Sequence, residues 1–247
     1  MNELNVKIAD ETFCVSYRDP TIPYWFPGFI IESRGEIPIC PTDRDLEKIR
    51  ADFIRTDSRH FSVLPKRPRA QLEYHTIHYI MAKALLKRGV LLVHGSAVVA
   101  DGNAYLFIAP SGTGKSTHTA LWKEVLGERA FIINDDKQLI RLSGDVPLVY
   151  PTPWGMVENS IQASSAPLKA VIWLERGTKN EIEPITEGEM FVQIYKASLT
   201  GKTADEVAAI LNLQKKLLGK TKLYHLKCTP DKDAAITAAN ALLYTDS

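Results

Sequence analysis

The chain has 247 residues, of which 45% are apolar, and a formal net charge of +1. This length and apolar content allow one large domain, or one domain with a small appendage, around a sizeable core. The nearly balanced charge, without a long basic tract, argues against nucleic acid as the main partner.

Cysteine usage and hydropathy indicate the cellular compartment of the chain. Cys14, Cys40 and Cys228 show neither a metal-ligand spacing nor a disulfide pattern, which favours a reduced, cytoplasmic setting. The first residues lack a charged-then-apolar signal segment. No apolar run approaches the ~18 residues of a membrane span, so we expect no membrane partner.

The first 68 residues are predicted to form a β-rich region packed on the remainder. We expect a hairpin from Val6–Ile8 and Thr12–Tyr17 and a further strand over Gly28–Glu32, while prolines break the rest into irregular structure. Residues 69–247 are predicted to form a second, larger domain.

That domain begins with alternating helix and strand signals. A helix is predicted over Ala70–Arg88, and Val90–Ala100 and Ala104–Ile108 form a predicted hairpin. Strands are then expected over Ala130–Ile133, Leu139–Leu142, Leu148–Tyr150, Ala170–Leu174 and Leu223–Cys228, and helices over Met190–Tyr195, Ala204–Leu218 and Lys232–Leu243.

A glycine-rich loop, Ala109–Ser116, separates the predicted strand ending at Ile108 from a helix predicted over Ser116–Leu126. In this context the helix dipole and unpaired N–H groups favour an anion. Lys115 can reach the β/γ oxygens of a triphosphate, and the Ser116 hydroxyl can hold Mg²⁺. A simple strand-to-helix turn would not explain the Lys-Ser pair. The residues predicted to bind a nucleotide are Ser111, Gly112, Thr113, Gly114, Lys115, Ser116 and Thr117.

An acidic pair, Asp135 and Asp136, follows the predicted strand Ala130–Ile133. Two carboxylates allow a division of labour, in which one binds Mg²⁺ and the other takes the proton of an attacking hydroxyl. The alternative is a solvated β-turn, since Asn-Asp-Asp is also typical of turns. Next to a phosphate-binding loop the metal interpretation is favoured, because a nucleotide–Mg²⁺ site needs an acidic partner.

The succession of His94, hairpin, loop and paired aspartates resembles the catalytic domain of HPr kinase/phosphorylase, a family that shares its core with phosphoenolpyruvate carboxykinase. Local sequences at Val93–Ser96, Pro151–Gly155 and Leu174–Gly177 are similar to stand-alone HPr-kinase-like bacterial proteins. The resemblance implies an α/β fold: a P-loop core of mixed sheet with flanking helices, plus a small β-rich N-terminal part.

The resemblance also implies roles for individual residues. Asp135 and Asp136 would supply metal binding and the general base, with Asp136 favoured as base. His94 matches a histidine that tunes the protonation of the aspartates. Glu158 corresponds to a glutamate that helps to hold the metal. Arg176 would neutralise charge on the transferring phosphoryl group, or is a turn arginine before a glycine.

The implied function is a kinase that uses ATP and Mg²⁺ and transfers the γ-phosphoryl group to a hydroxyl, on a peptide or protein serine or on a small molecule. The signature for the reverse phosphorylase reaction is not recognisable, so HPr itself is a doubtful acceptor. Two alternatives stay open: a carboxykinase-like lyase, and a nucleotide-binding regulator without chemistry. A homo-oligomer is also left open, because HPr kinases assemble into rings.

Overall fold

The structure is a computed structural model that describes residues 1–56, 69–155, 165–198, 201 and 203–244. The chain divides into two compact units, residues 1–85 and 86–247. The domain boundary predicted after residue 68 stays a prediction, because residues 57–68 lie outside the described part of the chain.

The first unit joins a small sheet to two helices. Its strands are β1 (Asn2–Ile8), β2 (Glu11–Tyr17) and β3 (Ile37–Ile39), and its helices are α1 (Asp43–Thr56) and most of α2 (Arg69–Leu86). Strand β2 pairs antiparallel with β1 and parallel with β3. The Glu73 carboxylate accepts hydrogen bonds from the backbone N–H groups of Arg18 and Asp19, at 2.8 and 3.0 Å, which ties α2 to the segment after β2.

Two expectations for this unit are wrong. The strand predicted over Gly28–Glu32 is an irregular segment, in which Ile30 forms only an isolated bridge with Val6. The region predicted to be irregular contains helix α1. Its start carries a helix signal, since the Asp45 N–H donates to the Thr42 hydroxyl at 3.2 Å and the Thr42 N–H donates back to the Asp45 carboxylate at 3.1 Å.

The second unit begins with strands β4 (Val90–Ala100) and β5 (Asn103–Ile108), which form the predicted hairpin. The elements that follow are α3 (Lys115–Leu126), β6 (Ala130–Arg141), β7 (Leu148–Tyr150), β8 (Ala166–Arg176), β9 (Glu181–Pro184), α4 (Glu187–Ala197), α5 (Ala204–Leu218), β10 (Lys222–Cys228) and α6 (Lys232–Leu243). Strand β9 has no counterpart among the predicted elements.

The strands of this unit form one mixed sheet of seven strands, in the order β5-β4-β6-β7-β8-β10-β9. Strand β5 also pairs in parallel with β8, so strands β4 to β8 close into a ring. Alternate residues of β5 enter different hydrophobic clusters, with Tyr105 and Phe107 in one and Leu106 and Ile108 in the other. Because successive strand residues point to opposite faces, the sheet has apolar layers on both sides.

Helices cover both faces. Side chains of α3 and α6 belong to the cluster with Tyr105, and side chains of α4 and α5 belong to the cluster with Leu106. The predicted class, a mixed α/β fold with a large mixed sheet, flanking helices and a small N-terminal β part, is therefore confirmed.

The acidic segment differs from expectation. Two strands were predicted on either side of Asn134–Asp136, but β6 runs continuously from Ala130 to Arg141. The reason is tertiary, since β6 pairs antiparallel with β4 along its whole length, from Val90 opposite Arg141 to Ala100 opposite Ala130. The aspartates therefore lie within a strand and not at the end of one.

Candidate functional site

The glycine-rich loop connects β5 to α3. Gly112 and Gly114 have φ angles of +79° and +119°, in a region that glycine adopts without steric cost. A Cβ atom on either glycine would meet no other atom within 4 Å, so space is open beside the loop backbone. Gly114 caps α3 without a side-chain hydrogen bond, which leaves first-turn N–H groups for an anion.

Lys115 lies folded onto this loop. Its Nζ donates hydrogen bonds to the carbonyl oxygens of Ala109 and Pro110, at 3.0 and 3.3 Å. The side chain is buried, and burial lowers the pKa of its amine, while the charges of Asp136 and Asp135 act in the opposite direction. A phosphate would offer the amine charge-assisted hydrogen bonds, which are stronger than those to neutral carbonyls.

Strand pairing brings His94 to Asp136. The register of β4 and β6 places Gly95 opposite Asp136. The Nε2 atom of His94 lies 3.0 Å from Oδ1 of Asp136, and Lys137 Nζ donates to the same oxygen at 2.8 Å. Burial would raise the pKa of Asp136, but the hydrogen bonds and charges of His94 and Lys137 outweigh it, so the pKa lies well below its ordinary value.

Buried amide side chains hold the backbone around the aspartates. Nδ2 of Asn134 donates to the Thr152 hydroxyl at 2.6 Å. Nε2 of Gln138 donates to the carbonyl oxygens of Gly95 and Asn134, at 2.9 and 3.0 Å. Both amide residues are fully buried. This frame supports Asp136 at a φ of +82°, which is uncommon for a residue with a side chain.

Gly155 packs directly against the aspartate pair. Its carbonyl accepts a hydrogen bond from the Asp135 N–H at 3.1 Å. A Cβ atom at this position would lie 1.9 Å from the Asp135 carbonyl oxygen and 3.0 Å from the Asp136 Cβ. The glycine that ends Pro151–Gly155 is therefore needed for a close backbone approach.

One cavity of about 370 Å³, which we call the loop cavity, collects most of the predicted site residues. Its lining residues are His94, Ser111, Gly112, Gly114, Lys115, Ser116, Thr117, Asp135 and Asp136. Arg176 stands apart, because its guanidinium donates to the backbone carbonyls of Gly112 and Thr113, at 2.6 and 3.2 Å. Glu158 lies outside the described residues.

Two further cavities flank the loop cavity. The α3 cavity, of about 380 Å³, shares Gly114 and Thr117 with it and is also lined by Thr113, His118, Leu121, Leu174, Arg176, Gly177, Cys228, Thr229 and Pro230. The α4 cavity, of about 270 Å³, shares His94 and Ser111 with it and is also lined by Ile108, Ala109, Pro110, Trp173, Gln193, Lys196 and Ala197. A ligand in the loop cavity can therefore extend in two directions.

The side chains of the loop cavity suit a triphosphate and a magnesium ion. Lys115 and the N–H groups at the start of α3 match phosphate oxygens, and the open space beside Gly112 and Gly114 leaves room for them. The Ser116 hydroxyl and the Asp135 carboxylate are oxygen donors of the kind Mg²⁺ prefers. No group of three or more His, Cys, Asp or Glu side chains in the described part of the chain is placed to hold a metal.

Several residues of the site were missed from the sequence. Lys137 follows the aspartates directly, and its cationic side chain next to two carboxylates is a signal that could have found it. Gly155 ends a turn-rich segment, although only the fold shows what it approaches. Asn134 and Gln138 hold the backbone around the aspartates only because β6 pairs with β4. No local sequence pattern predicts this.

Comparisons with known proteins identify one family. The family model described as "SynChlorMet cassette protein ScmC" matches residues 69–226, more than half of the chain. No curated protein matches significantly.

Among solved structures, the Hpr(Ser) kinase/phosphatase from Coxiella burnetii is similar at 10% sequence identity and a TM-score of 0.35, over 63% of this chain and 99% of that one. A similarity at this level carries no argument about activity.

In the described residues, no helix combines the length and hydropathy needed to cross a membrane.

Proposed function

We propose that this chain, which belongs to the ScmC family, is a kinase that uses ATP and Mg²⁺ and transfers the γ-phosphoryl group to a hydroxyl. The observation that carries the proposal is the loop cavity, where the glycine-rich loop, Lys115 and Ser116 meet Asp135, Asp136 and His94. Phosphoryl transfer depends mainly on positioning and charge neutralisation around the phosphates. These residues supply both.

The phosphates would lie in the loop cavity and the nucleoside in the α3 cavity. The two cavities meet at Gly114 and Thr117, so a nucleotide can pass from one to the other along the start of α3. Lys115 would turn from the loop carbonyls to the β- and γ-phosphates. Arg176 would hold the loop in shape through its bonds to Gly112 and Thr113, and we assign it this positioning role over direct contact with the transferring group.

Ser116 and Asp135 would hold Mg²⁺, with Glu158 as a further proposed ligand. When bound, the ion neutralises charge that develops on the phosphates during transfer. Asp135 suits this role better than Asp136, because His94 and Lys137 already contact the Asp136 carboxylate.

Asp136 would receive the proton of the attacking hydroxyl. The hydroxyl oxygen forms a bond to the γ-phosphorus, the bond from that phosphorus to the β–γ bridging oxygen breaks, and ADP leaves. Its low pKa makes Asp136 a weak base, which suits a transition state in which the proton moves late. His94 and Lys137 would orient the carboxylate through their contacts with its Oδ1.

The acceptor would approach through the α4 cavity, which shares His94 and Ser111 with the loop cavity. Helix α4 is fixed beside this cavity by a buried chain of hydrogen bonds. Gln214 Nε2 donates to the Ser198 hydroxyl at 2.9 Å, and that hydroxyl donates to the Ile194 carbonyl at 2.8 Å. We propose a peptide serine or a small hydroxyl compound as the acceptor.

The test is phosphoryl transfer from γ-labelled ATP to a panel of serine peptides and small hydroxyl compounds. Asp136→Asn should lower the transfer rate by about 10²- to 10⁴-fold, the usual contribution of a positioned base. Asp145→Asn, an exposed loop residue, makes the same chemical change away from the site and should leave the rate unchanged.

An unchanged rate in Asp136→Asn would refute the assigned base. Phosphoenolpyruvate formed from oxaloacetate and ATP would favour a lyase. Tight ATP binding without transfer to any acceptor would favour a regulator.

A further inference from the structure

Two buried hydroxyl side chains connect strand β4 to helix α3. The Oγ atom of Ser96 lies 2.8 Å from Oγ1 of Thr119, and both residues are fully buried. Oγ1 of Thr119 also lies 3.3 and 3.2 Å from the carbonyl oxygens of Lys115 and Ser116, in the first turn of the helix. In the described part of the chain, Thr119 is the one hydrogen-bond partner of the Ser96 hydroxyl.

The direction of these hydrogen bonds follows from the donors available. Carbonyl oxygens only accept, so the single hydrogen of the Thr119 hydroxyl is directed toward the first turn of α3. Ser96 then donates to Oγ1 of Thr119, and both buried hydroxyl hydrogens have an acceptor. The opposite direction would leave the Ser96 hydrogen unpaired inside the protein, which is costly. The result is a continuous chain of hydrogen bonds from β4 to the start of α3.

The two ends of this chain belong to the two halves of the proposed site. At one end, the carbonyls of Lys115 and Ser116 are held, and the side chains of these residues are the proposed contacts to phosphate and Mg²⁺. At the other end, Ser96 lies directly opposite Asp135 in the register of β4 and β6. Ser116 and Asp135 both line the loop cavity. The hydroxyl pair therefore links the backbones that carry the two proposed magnesium ligands.

The hydroxyl pair lies on an apolar face of the sheet. Ser96 is opposite Phe107 of β5, and Phe107 belongs to the same hydrophobic cluster as Trp122 of α3. Replacing a buried hydrogen-bonded pair by apolar groups of the same shape is nearly neutral for stability. A hydrogen bond, unlike an apolar contact, fixes a distance and a direction. The pair therefore contributes geometry more than it contributes stability.

We propose that Ser96 and Thr119 are positioning residues that set the separation of Ser116 and Asp135, so that both side chains can hold one magnesium ion. This rests on the proposed function, which places Mg²⁺ between these two residues. Without the hydroxyl pair, apolar packing would keep α3 on the sheet, but its first turn could shift relative to β4. The contribution of Mg²⁺ to nucleotide binding would then fall, and binding without the ion would change less.

The experiment is calorimetric titration of the full chain with ATP, once with Mg²⁺ and once with EDTA. The ratio of the dissociation constant in EDTA to that in Mg²⁺ is the Mg²⁺ enhancement. Thr119→Val removes the hydroxyl at nearly constant volume and should lower this enhancement by about fivefold, the scale of one lost hydrogen bond. Thr119→Ser keeps the hydroxyl and should retain the enhancement.

Ser96→Ala is a second variant, which leaves Thr119 bonded to the helix carbonyls and so preserves the first turn of α3. It should lower the Mg²⁺ enhancement as much as Thr119→Val does. The double variant should lower it no further, because contacting residues that act as a unit are not additive.

Thr76→Val is the matched control. The Thr76 hydroxyl is also buried in a helix, α2, and donates to the carbonyl oxygen of Leu72, four residues earlier, at 2.8 Å. The same atoms are removed in this variant, and the Mg²⁺ enhancement should not change.

An unchanged Mg²⁺ enhancement in Ser96→Ala and Thr119→Val would overturn the inference, as would losses that add in the double variant. An equal loss in Thr119→Ser and Thr119→Val would also overturn it, because the hydroxyl would then be irrelevant. In each of these cases the unmodified chain still binds ATP more tightly with Mg²⁺, so the proposed function stands. If the unmodified chain binds ATP equally with and without Mg²⁺, or not at all, the proposed function is refuted and the inference falls with it.

Discussion

Two regions next to the glycine-rich loop differ in the burial, charge and hydrogen-bond partners of their titratable side chains. On the α3 side, His118 is buried and neutral, and its Nδ1 has no hydrogen-bond partner among the described residues. In the loop cavity, which adjoins the α4 cavity at His94 and Ser111, Asp136 is about half exposed and charged, and it is contacted by His94 and Lys137. The first arrangement suits an apolar wall beside the α3 cavity, and the second suits handling of charge and protons. A transferase that binds a nucleotide on one side and an acceptor on the other needs both.

The largest effect that distinguishes the two regions is expected from substitution of Gly155, which contacts the aspartates of the loop cavity and not the α3 cavity. Gly155→Ala puts a Cβ 1.9 Å from the Asp135 carbonyl oxygen, so the aspartate backbone must move. A displacement of about 1 Å at reacting groups costs about 100-fold in rate, and we expect a loss of at least that size in phosphoryl transfer. Nucleotide binding, measured in parallel, should fall much less.

Gly102→Ala is the matched control for this change. Gly102 also has a positive φ, of +80°, but a Cβ there would meet nothing within 4 Å. It therefore carries the backbone strain without the collision. Equal losses of transfer in the two variants would contradict a specific role for the contact of Gly155 with the aspartates.

The next largest effect is expected in the pH dependence of stability, and it comes from the buried residue His118. The pKa of His118 falls from 6.5 to about 4 on folding. Between pH 6.5 and 5 the unfolded chain gains a proton here and the folded chain does not, so the free energy of unfolding drops by about 2 kcal/mol. His118→Phe should show a smaller fall in melting temperature between pH 7 and 5 than the unmodified chain.

Asp136 provides the contrast within the same measurement. Its pKa is lowered on folding, so its contribution to stability is present above an unfolded value of about 4 and is lost only below it. Asp136→Asn should therefore leave the change between pH 7 and 5 almost unaltered. A His118→Phe variant with the same pH dependence as the unmodified chain would contradict the buried, neutral assignment.

The smallest effect is expected on the acceptor side, at Lys196. This exposed residue is the one lysine or arginine among the described residues that line the α4 cavity. Lys196→Glu should weaken acceptors that carry an acidic group near their hydroxyl by about fivefold, the upper range for an exposed ion pair. The effect, measured as KM for acidic against neutral serine peptides, should shrink with added salt.

Lys216→Glu makes the same charge change on α5 and is a close control. Both lysines are exposed and lie in the last turn of their helices, so the interaction with the helix dipole changes equally. If the two variants alter the KM of acidic peptides to the same degree, Lys196 has no special place in acceptor binding.

The sequence predicts the locally encoded parts of this site better than the parts that depend on distant contacts. The loop, helix α3 and the β4–β5 hairpin follow from local patterns: glycines at turns, apolar periodicity and a Lys-Ser pair at a helix start. They appear where expected, apart from shifts of a residue or two. The order of His94, loop and aspartates was also enough to anticipate which residues share a cavity.

What the sequence hid depends on contacts between distant segments. The continuity of β6 through Asp135 and Asp136 comes from pairing with β4, which overrides the turn character of Asn-Asp-Asp. The contact of Gly155 with Asp135 joins two segments that are distant in sequence, so no local pattern predicts it. The hydrogen-bonding state of His118 follows from its contact with Trp122, one helical turn away, and from the lack of a partner for its Nδ1 among the described residues. Neither can be read from the sequence.

The central claim is that the loop cavity binds the phosphates of a nucleotide, and titration calorimetry with ATP and Mg²⁺ tests it most directly. We predict one site per chain in the unmodified protein. Lys115→Ala should weaken that site by about 100-fold, the scale of about two lost charge-assisted hydrogen bonds. An unmodified chain that binds no ATP, or a Lys115→Ala variant that binds it equally well, would contradict the account.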